Sequence, residues 1–296
     1  MGARRLVTVL LAVLGLFAFS LPASSASPGR KVVGVIFDDS GSMEKRIQLP
    51  AFAAQLLVST LNPTRDRLFT IRLSDYEADL GALGQRGDPL YARIAGEGVN
   101  PKTMAALREK RFAELPKDEF GSGRPLQALV GSIRDRWALP PTSNTPFGPV
   151  ELMLSTLADE TGPDDQAYLL ILTDGEFDPV PPPIAVIRKD LAVLQARFKG
   201  PLDVSFVLIA PDDEGGEEAR REVERQGVRR ALTGMFNGTE DKPFYQVRNS
   251  KNLVEAMFDV VARINSTARS AVPGRGAVVD VVDRGHQLGS FAGDLL

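Results

Sequence analysis

The sequence contains no cysteine and a single histidine among its 296 residues. Without cysteine the chain has no disulfide, zinc ribbon or iron–sulfur cluster, no thiolate nucleophile and no cysteine for a lipid anchor. His286 alone excludes a multi-histidine metal site, and a Ser-His-Asp triad would depend on that one residue. Oxygen ligands, which suit hard cations such as Mg²⁺ and Ca²⁺, are therefore what the chain has for metal chemistry.

The charge pattern lacks a basic cluster. Lys and Arg total 35 against 38 Asp and Glu, so the formal net charge is −3. A chain without a basic patch has no means of neutralising phosphates, and we expect no nucleic acid partner. Hydrophobic residues are 43% and charged residues 25% of the chain, which is the composition of a globular protein. The length fits two small domains or one α/β domain with an insertion.

The first 26 residues have the pattern of a secretory signal peptide. Arg4 and Arg5 precede an uncharged apolar run from Leu6 to Leu21, and small residues follow at Ser24 to Ala26. The run is 16 residues long, short of the roughly 20 needed to span a bilayer, so a membrane location would require an uncleaved leader. We predict an exported protein, secreted or periplasmic, whose net charge becomes −5 once the two arginines are removed.

Apolar runs of strand length alternate with helical segments along the chain. Continuous runs such as KVVGVIF are typical of strands buried on both faces of a parallel sheet. The predicted strands are Lys31 to Phe37, Arg67 to Leu73, Tyr168 to Leu172 and Asp203 to Ala210, with a weaker edge strand at Phe244 to Val247. The predicted helices are Pro50 to Leu61, Val150 to Leu157, Ile184 to Phe198 and one beginning at Ser250. This alternation predicts an α/β fold with a doubly wound, mostly parallel central sheet flanked by helices.

We predict one main domain over residues 27–268 with an insertion at 74–140. The insertion has helical stretches near Lys102 to Ala113 and Leu126 to Ala138 but no convincing central strand. From Arg269 onward the chain is richer in glycine and serine, and residues 269–296 are expected to be a tail or the start of an added segment.

Polar clusters follow two of the predicted strands, at the sheet edge where ligands bind in open parallel sheets. DDSGS (38–42) follows the first strand and gathers the carboxylate of Asp38 and the hydroxyls of Ser40 and Ser42 in one turn. TDG (173–175) follows the third predicted strand and supplies Asp174. Mg²⁺ takes about six oxygen ligands and keeps waters where the protein supplies few. The two clusters together predict a divalent cation site.

The joint pattern resembles the metal-ion-dependent adhesion site (MIDAS) of the von Willebrand factor type A (vWA) domain family, over about Lys31 to Ser266. VVGVIFDDSGSM has the form of that family's first strand, and LILTDGEFD has the form of its fourth. The resemblance implies a vWA/Rossmann-like fold with hydroxyl ligands from Ser40, Ser42 and a threonine that precedes a helix. It also implies that Asp38 and Asp174 bind the metal directly or hold its water molecules.

Thr145, ahead of the helical run at Val150, fits the position of that threonine, and Thr142 is the alternative. Thr145 lies 103 positions after Ser42, a longer separation than compact versions of the domain have. By the family geometry, Asp39 is expected to point away from the site and to lie on the surface.

The resemblance implies an exported, non-enzymatic protein that uses Mg²⁺, or Mn²⁺ or Ca²⁺, to capture an Asp or Glu carboxylate of a protein partner. Neutral hydroxyl ligands leave a dication under-neutralised, so an incoming carboxylate gains more there than at a carboxylate-rich site. Variation at Ser74 to Pro140 is expected to govern partner choice. In an alternative interpretation the domain is structural, and the metal only holds its loops together without binding a partner.

The enzymatic alternative is a Mg²⁺-dependent haloacid-dehalogenase-like phosphohydrolase, which also begins with an apolar strand and an aspartate cluster. In such an enzyme the first aspartate is the nucleophile, and a second aspartate two residues later is the general acid and base. Ser40 occupies that second position, and a serine hydroxyl does not transfer a proton in that way near neutral pH. The sequence therefore favours a protein that is not an enzyme.

Overall fold

The computed structural model describes residues 29–41, 43, 48–76, 115–121, 123–137, 147–173, 177, 184–209, 227–239, 243–247 and 250–270. These residues form a six-stranded sheet with helices on both faces. The strands are β1 (Lys31–Phe37), β2 (Arg67–Arg72), β3 (Lys117–Asp118), β4 (Gln166–Thr173), β5 (Leu202–Ile209) and β6 (Phe244–Val247). The helices are α1 (Gln48–Thr60), α2 (Leu126–Trp137), α3 (Gly148–Glu160), α4 (Ile184–Gln195), α5 (227–236) and α6 (Ser250–Ser270).

The strand order across the sheet is β3-β2-β1-β4-β5-β6. All neighbouring strands are parallel except β3, which pairs with β2 in the antiparallel sense at one edge. The predicted fold class, a doubly wound and mostly parallel α/β sheet, is confirmed. The chain winds outward in one direction from β1 and in the other from β4, so the β1–β4 boundary is the topological switch point. In sheets of this kind ligands bind beyond the carboxyl ends of the strands at that point.

Both faces of β1 are buried, which explains its continuous apolar run. Val32 and Ile36 belong to a core that includes side chains of α3, α4 and α5. Val33, Val35 and Phe37 belong to a second core that includes side chains of α1, α2 and α6. Alternate side chains of a strand point to opposite faces, so one strand contributes to both cores.

The predicted strands and helices differ from the observed ones by a few residues at their ends. The weak strand predicted at Phe244 to Val247 is confirmed as β6, at the second edge of the sheet. Strand β3 was not predicted. A two-residue strand carries no periodicity that a sequence pattern could reveal.

The segment 74–140 contributes both an edge strand and a helix to the described structure. Strand β3 is fixed to β2 by backbone pairing and by an Arg67 Nη2 to Asp118 Oδ2 ion pair of 2.6 Å. Helix α2 agrees with the helix predicted at Leu126 to Ala138. The helix predicted near Lys102 to Ala113 lies outside the described residues, and so do the predicted signal peptide (1–26) and nearly all of the predicted tail (269–296). In the part of the chain that is described, no helix is both long enough and apolar enough to cross a membrane.

The close approach of α3 to the sheet depends on Gly34 in the middle of β1. A Cβ atom at this position would lie 2.6 Å from Met153 Sδ and 3.1 Å from Leu157 Cδ1. Met153 and Leu157 are themselves fully buried, so they have little room to move. The absence of a side chain at Gly34 therefore sets how closely the helix and the strand pack.

We expect Gly34→Ala to lower the free energy of unfolding by about 1 to 3 kcal/mol, because the added methyl group overpacks this contact. The control is Gly131→Ala in α2, where a Cβ atom would meet nothing within 4 Å. That substitution should raise stability by up to about 1 kcal/mol, the difference in helix propensity between the two residues. Denaturant unfolding measures both, and equal stability of Gly34→Ala and the unsubstituted protein would contradict the proposed contact.

Candidate metal site

Asp38 and Ser40 lie directly beyond the carboxyl end of β1, at the switch point of the sheet. Both are buried, with 1% and 4% of their surface exposed. The Ser40 N–H donates to Asp38 Oδ1 at 3.0 Å, and the Met43 N–H donates to the Ser40 carbonyl at 3.0 Å. Met43 is fully buried in the core that contains α1. The chain therefore turns tightly after β1, and the buried Met43 side chain anchors the far side of the turn.

The Asp38 carboxylate is fixed to the neighbouring strand β4. The backbone N–H of Asp38 donates to the Leu172 carbonyl at 2.9 Å, and Thr173 Oγ1 donates to Asp38 Oδ2 at 2.6 Å. The β1–β4 register pairs Phe37 with Leu172, so the next residues along, Asp38 and Thr173, are neighbours at the sheet edge. Each Asp38 oxygen thus accepts a hydrogen bond from the protein, which fixes the orientation of the carboxylate.

Asp39 is buried, so the prediction that it lies on the surface was wrong. None of its surface is exposed. Its Oδ1 accepts the Ser74 N–H at 3.0 Å, its Oδ2 accepts the Ser74 hydroxyl, and Arg72 Nη1 lies 4.0 Å from Oδ2. A buried carboxylate needs such partners. Asp39 therefore joins the turn after β1 to the chain that leaves β2.

An aromatic contact joins the residue that precedes α3 to a residue beyond the end of β4. The rings of Phe147 and Phe177 meet edge to face, with centroids 5.7 Å apart and planes at 80°. Both side chains are buried. Phe147 comes two residues after Thr145, and Phe177 comes three residues after Asp174. This contact therefore involves residues close in sequence to both predicted ligands.

The structure thus places two of the five predicted ligands, Asp38 and Ser40, in one turn. Ser42, Thr145 and Asp174 lie outside the described residues, as does the alternative Thr142. Among the residues that are described, no group of three or more histidine, cysteine, aspartate or glutamate side chains is placed to hold a metal ion. The described part of the site is one carboxylate and one hydroxyl.

This donor chemistry fits a hard divalent cation. Asp38 and Ser40 offer oxygen atoms only, and Mg²⁺, Mn²⁺ and Ca²⁺ all prefer oxygen ligands. The Asp38 carboxylate already accepts hydrogen bonds on both oxygens, as carboxylates that support a metal site from outside its ligand shell commonly do. Asp38 and Ser40 therefore fit a cation site with oxygen ligands, as one carboxylate and one hydroxyl.

Sequence reasoning missed two contacts that position the site. Thr173 donates across to Asp38 on the neighbouring strand, a contact that the sequence pattern does not indicate. The bond of Ser74 to Asp39 was not expected at all. The signal for both was the strand register, because Phe37 pairs with Leu172 on one side and with Arg72 on the other. The register shows which residues become neighbours at the strand ends, but it can be used only once the strand order is known.

Comparison with known proteins gives no match to a family model and none to a curated protein. Among solved structures the chain is similar to the pilus adhesin SpaC from Lactobacillus rhamnosus GG in its open conformation, with 12% identity and a TM-score of 0.47 over 80% of this chain and 30% of the adhesin. It is similar to proximal thread matrix protein 1 from the mussel byssus, with 15% identity and a TM-score of 0.42 over 79% of this chain and 45% of that protein.

A third similar structure is the manganese-loaded TRAP protein of Plasmodium vivax, with 11% identity and a TM-score of 0.38 over 79% of this chain and 74% of that one. The chain spans less than half the length of the adhesin and of the mussel protein.

We expect Thr173→Val to destabilise the protein in EDTA by about 1 to 3 kcal/mol, because the buried Asp38 carboxylate loses a hydrogen-bond donor. Thr156→Val is the matched control. Thr156 is also buried, but its hydroxyl donates to the Leu152 carbonyl of its own helix. Urea unfolding measures the free energy of unfolding of both variants. Equal decreases would show that the Thr173 hydrogen bond to Asp38 contributes no more than a hydrogen bond within a helix.

Proposed function

We propose that this chain is an exported, non-enzymatic protein-binding domain of the vWA type that holds one divalent cation at the β1–β4 switch point. Ser40, Ser42 and Thr145 supply hydroxyl ligands, and Asp38 and Asp174 bind the metal or its water molecules. The observation that carries the proposal is the fixed position of Asp38 and Ser40 beyond β1. The bound cation is Mg²⁺, Mn²⁺ or Ca²⁺.

Two further observations support the assignment of the other ligands. The Phe147–Phe177 contact joins the segment after Thr145 to the segment after Asp174. Helix α3 begins at Gly148 and ends at Glu160, shortly before β4 begins at Gln166. The last turn of α3 therefore lies near the amino end of β4, and its first turn lies near the carboxyl ends of the parallel strands. Phe147, the residue that precedes α3, therefore lies on the side of the sheet that holds Asp38.

The partner in this proposal is a protein that presents an Asp or Glu carboxylate. The cation supplies the Lewis acidity that attracts the carboxylate, while Ser40 and the residues around it fix where the partner docks. Because few of the proposed ligands are charged, the cation keeps positive charge that attracts the carboxylate of the partner. The loops at the carboxyl ends of the strands, together with the segment 74–140, would provide the surface that selects the partner.

A phosphohydrolase function is not supported by the described site. Ser40 stands where that mechanism needs a second carboxylic acid. Asp39, the other acid in the turn, is engaged by Ser74 and faces away from Asp38's partner on β4. Neither residue is placed to supply the general acid.

Titration with Mn²⁺, followed by calorimetry or water-proton relaxation, tests the metal site. We expect one site per chain and at least an approximately 10-fold loss of affinity in Ser40→Ala. The control is Ser155→Ala, a buried serine in the middle of α3, about two turns from its first residue, that accepts a hydrogen bond from Arg197 at 2.9 Å. Unchanged affinity in Ser40→Ala would remove Ser40 from the site. Mg²⁺ and Ca²⁺ competition then ranks the metals.

Capture of a partner from native host extract in Mg²⁺ or in EDTA tests the role of the metal in binding. We expect capture in Mg²⁺ and its loss in EDTA and in Ser40→Ala. The two buffers must have the same ionic strength, because screening alone weakens contacts between charged surfaces. Equal capture in both buffers would place the interface elsewhere.

A further inference from the structure

The helical turn at residues 73–76, directly after β2, lies between two parts of the candidate site. On one side is the DDSGS turn that follows β1, and on the other is the first residue of α3. Leu73 and Tyr76 are both 1% exposed and belong to the core that contains α3. The turn is therefore anchored in the core at each end, while Ser74 and Asp75 between them are half-buried.

Ser74 contacts the DDSGS turn with two donors. Its backbone N–H donates to Asp39 Oδ1 at 3.0 Å, and its hydroxyl donates to Asp39 Oδ2. Asp39 is the residue between Asp38 and Ser40, so a bond that fixes its side chain also fixes the backbone on which those two residues sit. Ser74 itself touches neither Asp38 nor Ser40 in any described hydrogen bond.

Arg72 and Asp75 hold the turn in shape. The Asp75 carboxylate accepts the Arg72 N–H at 3.2 Å and the Arg72 Nη2 donor at 2.7 Å. Arg72 Nη1 also donates to the Arg136 carbonyl on α2 at 3.0 Å. The position of Ser74 is therefore set by β2, by α2 and by its own turn, before any metal binds.

Tyr76 places the same turn against the start of α3. A Cβ atom on Gly148 would lie 2.1 Å from the Tyr76 hydroxyl oxygen, so only glycine allows this approach. Burial and the nearby Glu151 carboxylate raise the pKa of Tyr76 above its usual range, so the hydroxyl stays neutral. Gly148 comes three residues after Thr145.

We infer that the turn at 73–76 positions the metal site, with Ser74 as the positioning residue that holds the DDSGS turn through Asp39. This inference rests on the proposed metal site. Tyr76 fixes the same turn against α3, so one short segment relates the loop that carries Ser40 to the helix that follows Thr145. Ser74 thereby controls metal affinity without being a ligand.

Mn²⁺ titration of the full chain tests this inference with Ser74→Ala, Ser74→Thr and the control Ser155→Ala. We expect Ser74→Ala to weaken Mn²⁺ binding about 10-fold, the size of effect typical of groups that orient metal ligands. Ser74→Thr keeps the hydroxyl and should restore the affinity, and Ser155→Ala should not change it. Thermal unfolding in EDTA measures the structural cost of each substitution, which we expect to be larger for Ser74→Ala because the buried Asp39 carboxylate loses a donor.

The possible outcomes distinguish failure of this inference from failure of the proposed metal site. If the unsubstituted chain binds Mn²⁺ and Ser74→Ala binds it equally well, the positioning role is wrong while the metal site stands. If the unsubstituted chain does not bind Mn²⁺, both are wrong. Should Ser74→Ala fail to fold, the isosteric Asp39→Asn replaces it, because an amide can accept only one of the two Ser74 hydrogen bonds on its oxygen. Unchanged affinity in that variant would also overturn the inference.

Discussion

The candidate site depends on the parallel pairing of β1 with β4. These strands are adjacent in the sheet but far apart in sequence, and their register runs from Lys31 opposite Gln166 to Phe37 opposite Leu172. The residues that follow, Asp38 and Thr173, therefore become neighbours and form a 2.6 Å hydrogen bond. The switch point lies between the same two strands, so the pairing that completes the core also creates the edge where polar groups gather.

The side chains of the two aspartates in the DDSGS turn bind to opposite neighbouring strands, and both fix the position of the turn. Asp38 is fixed toward β4 by Thr173, and Asp39 is fixed toward β2 by Ser74. Each is buried and each receives donors from the protein, which avoids the large cost of an unpaired buried carboxylate. With the turn fixed on both sides, Ser40 is held on a backbone that needs no rearrangement when a ligand arrives. Such preorganisation favours binding, because the ordering cost is met on folding.

The fold class could be predicted because the strands are buried on both faces, and runs such as KVVGVIF and YLLIL are then continuous. The ends of those runs also located Asp38 and Ser40. The role of Asp39 could not be predicted, since its partner Ser74 is 35 positions away and is known only from the strand order. Strand β3 is too short to have a pattern of its own. The roles of Ser42, Thr145 and Asp174 rest on the resemblance and on their described neighbours.

The most direct test of the metal site is the anomalous scattering of Mn²⁺ in crystals of the protein grown with that ion. A peak beside the Ser40 hydroxyl, beyond the carboxyl end of β1, is the result we predict, and at the same limiting Mn²⁺ concentration it should be weaker in crystals of Ser40→Ala. A well-ordered DDSGS turn with no peak at saturating Mn²⁺, or a peak at a different edge of the sheet, would contradict a metal site at the β1–β4 switch point.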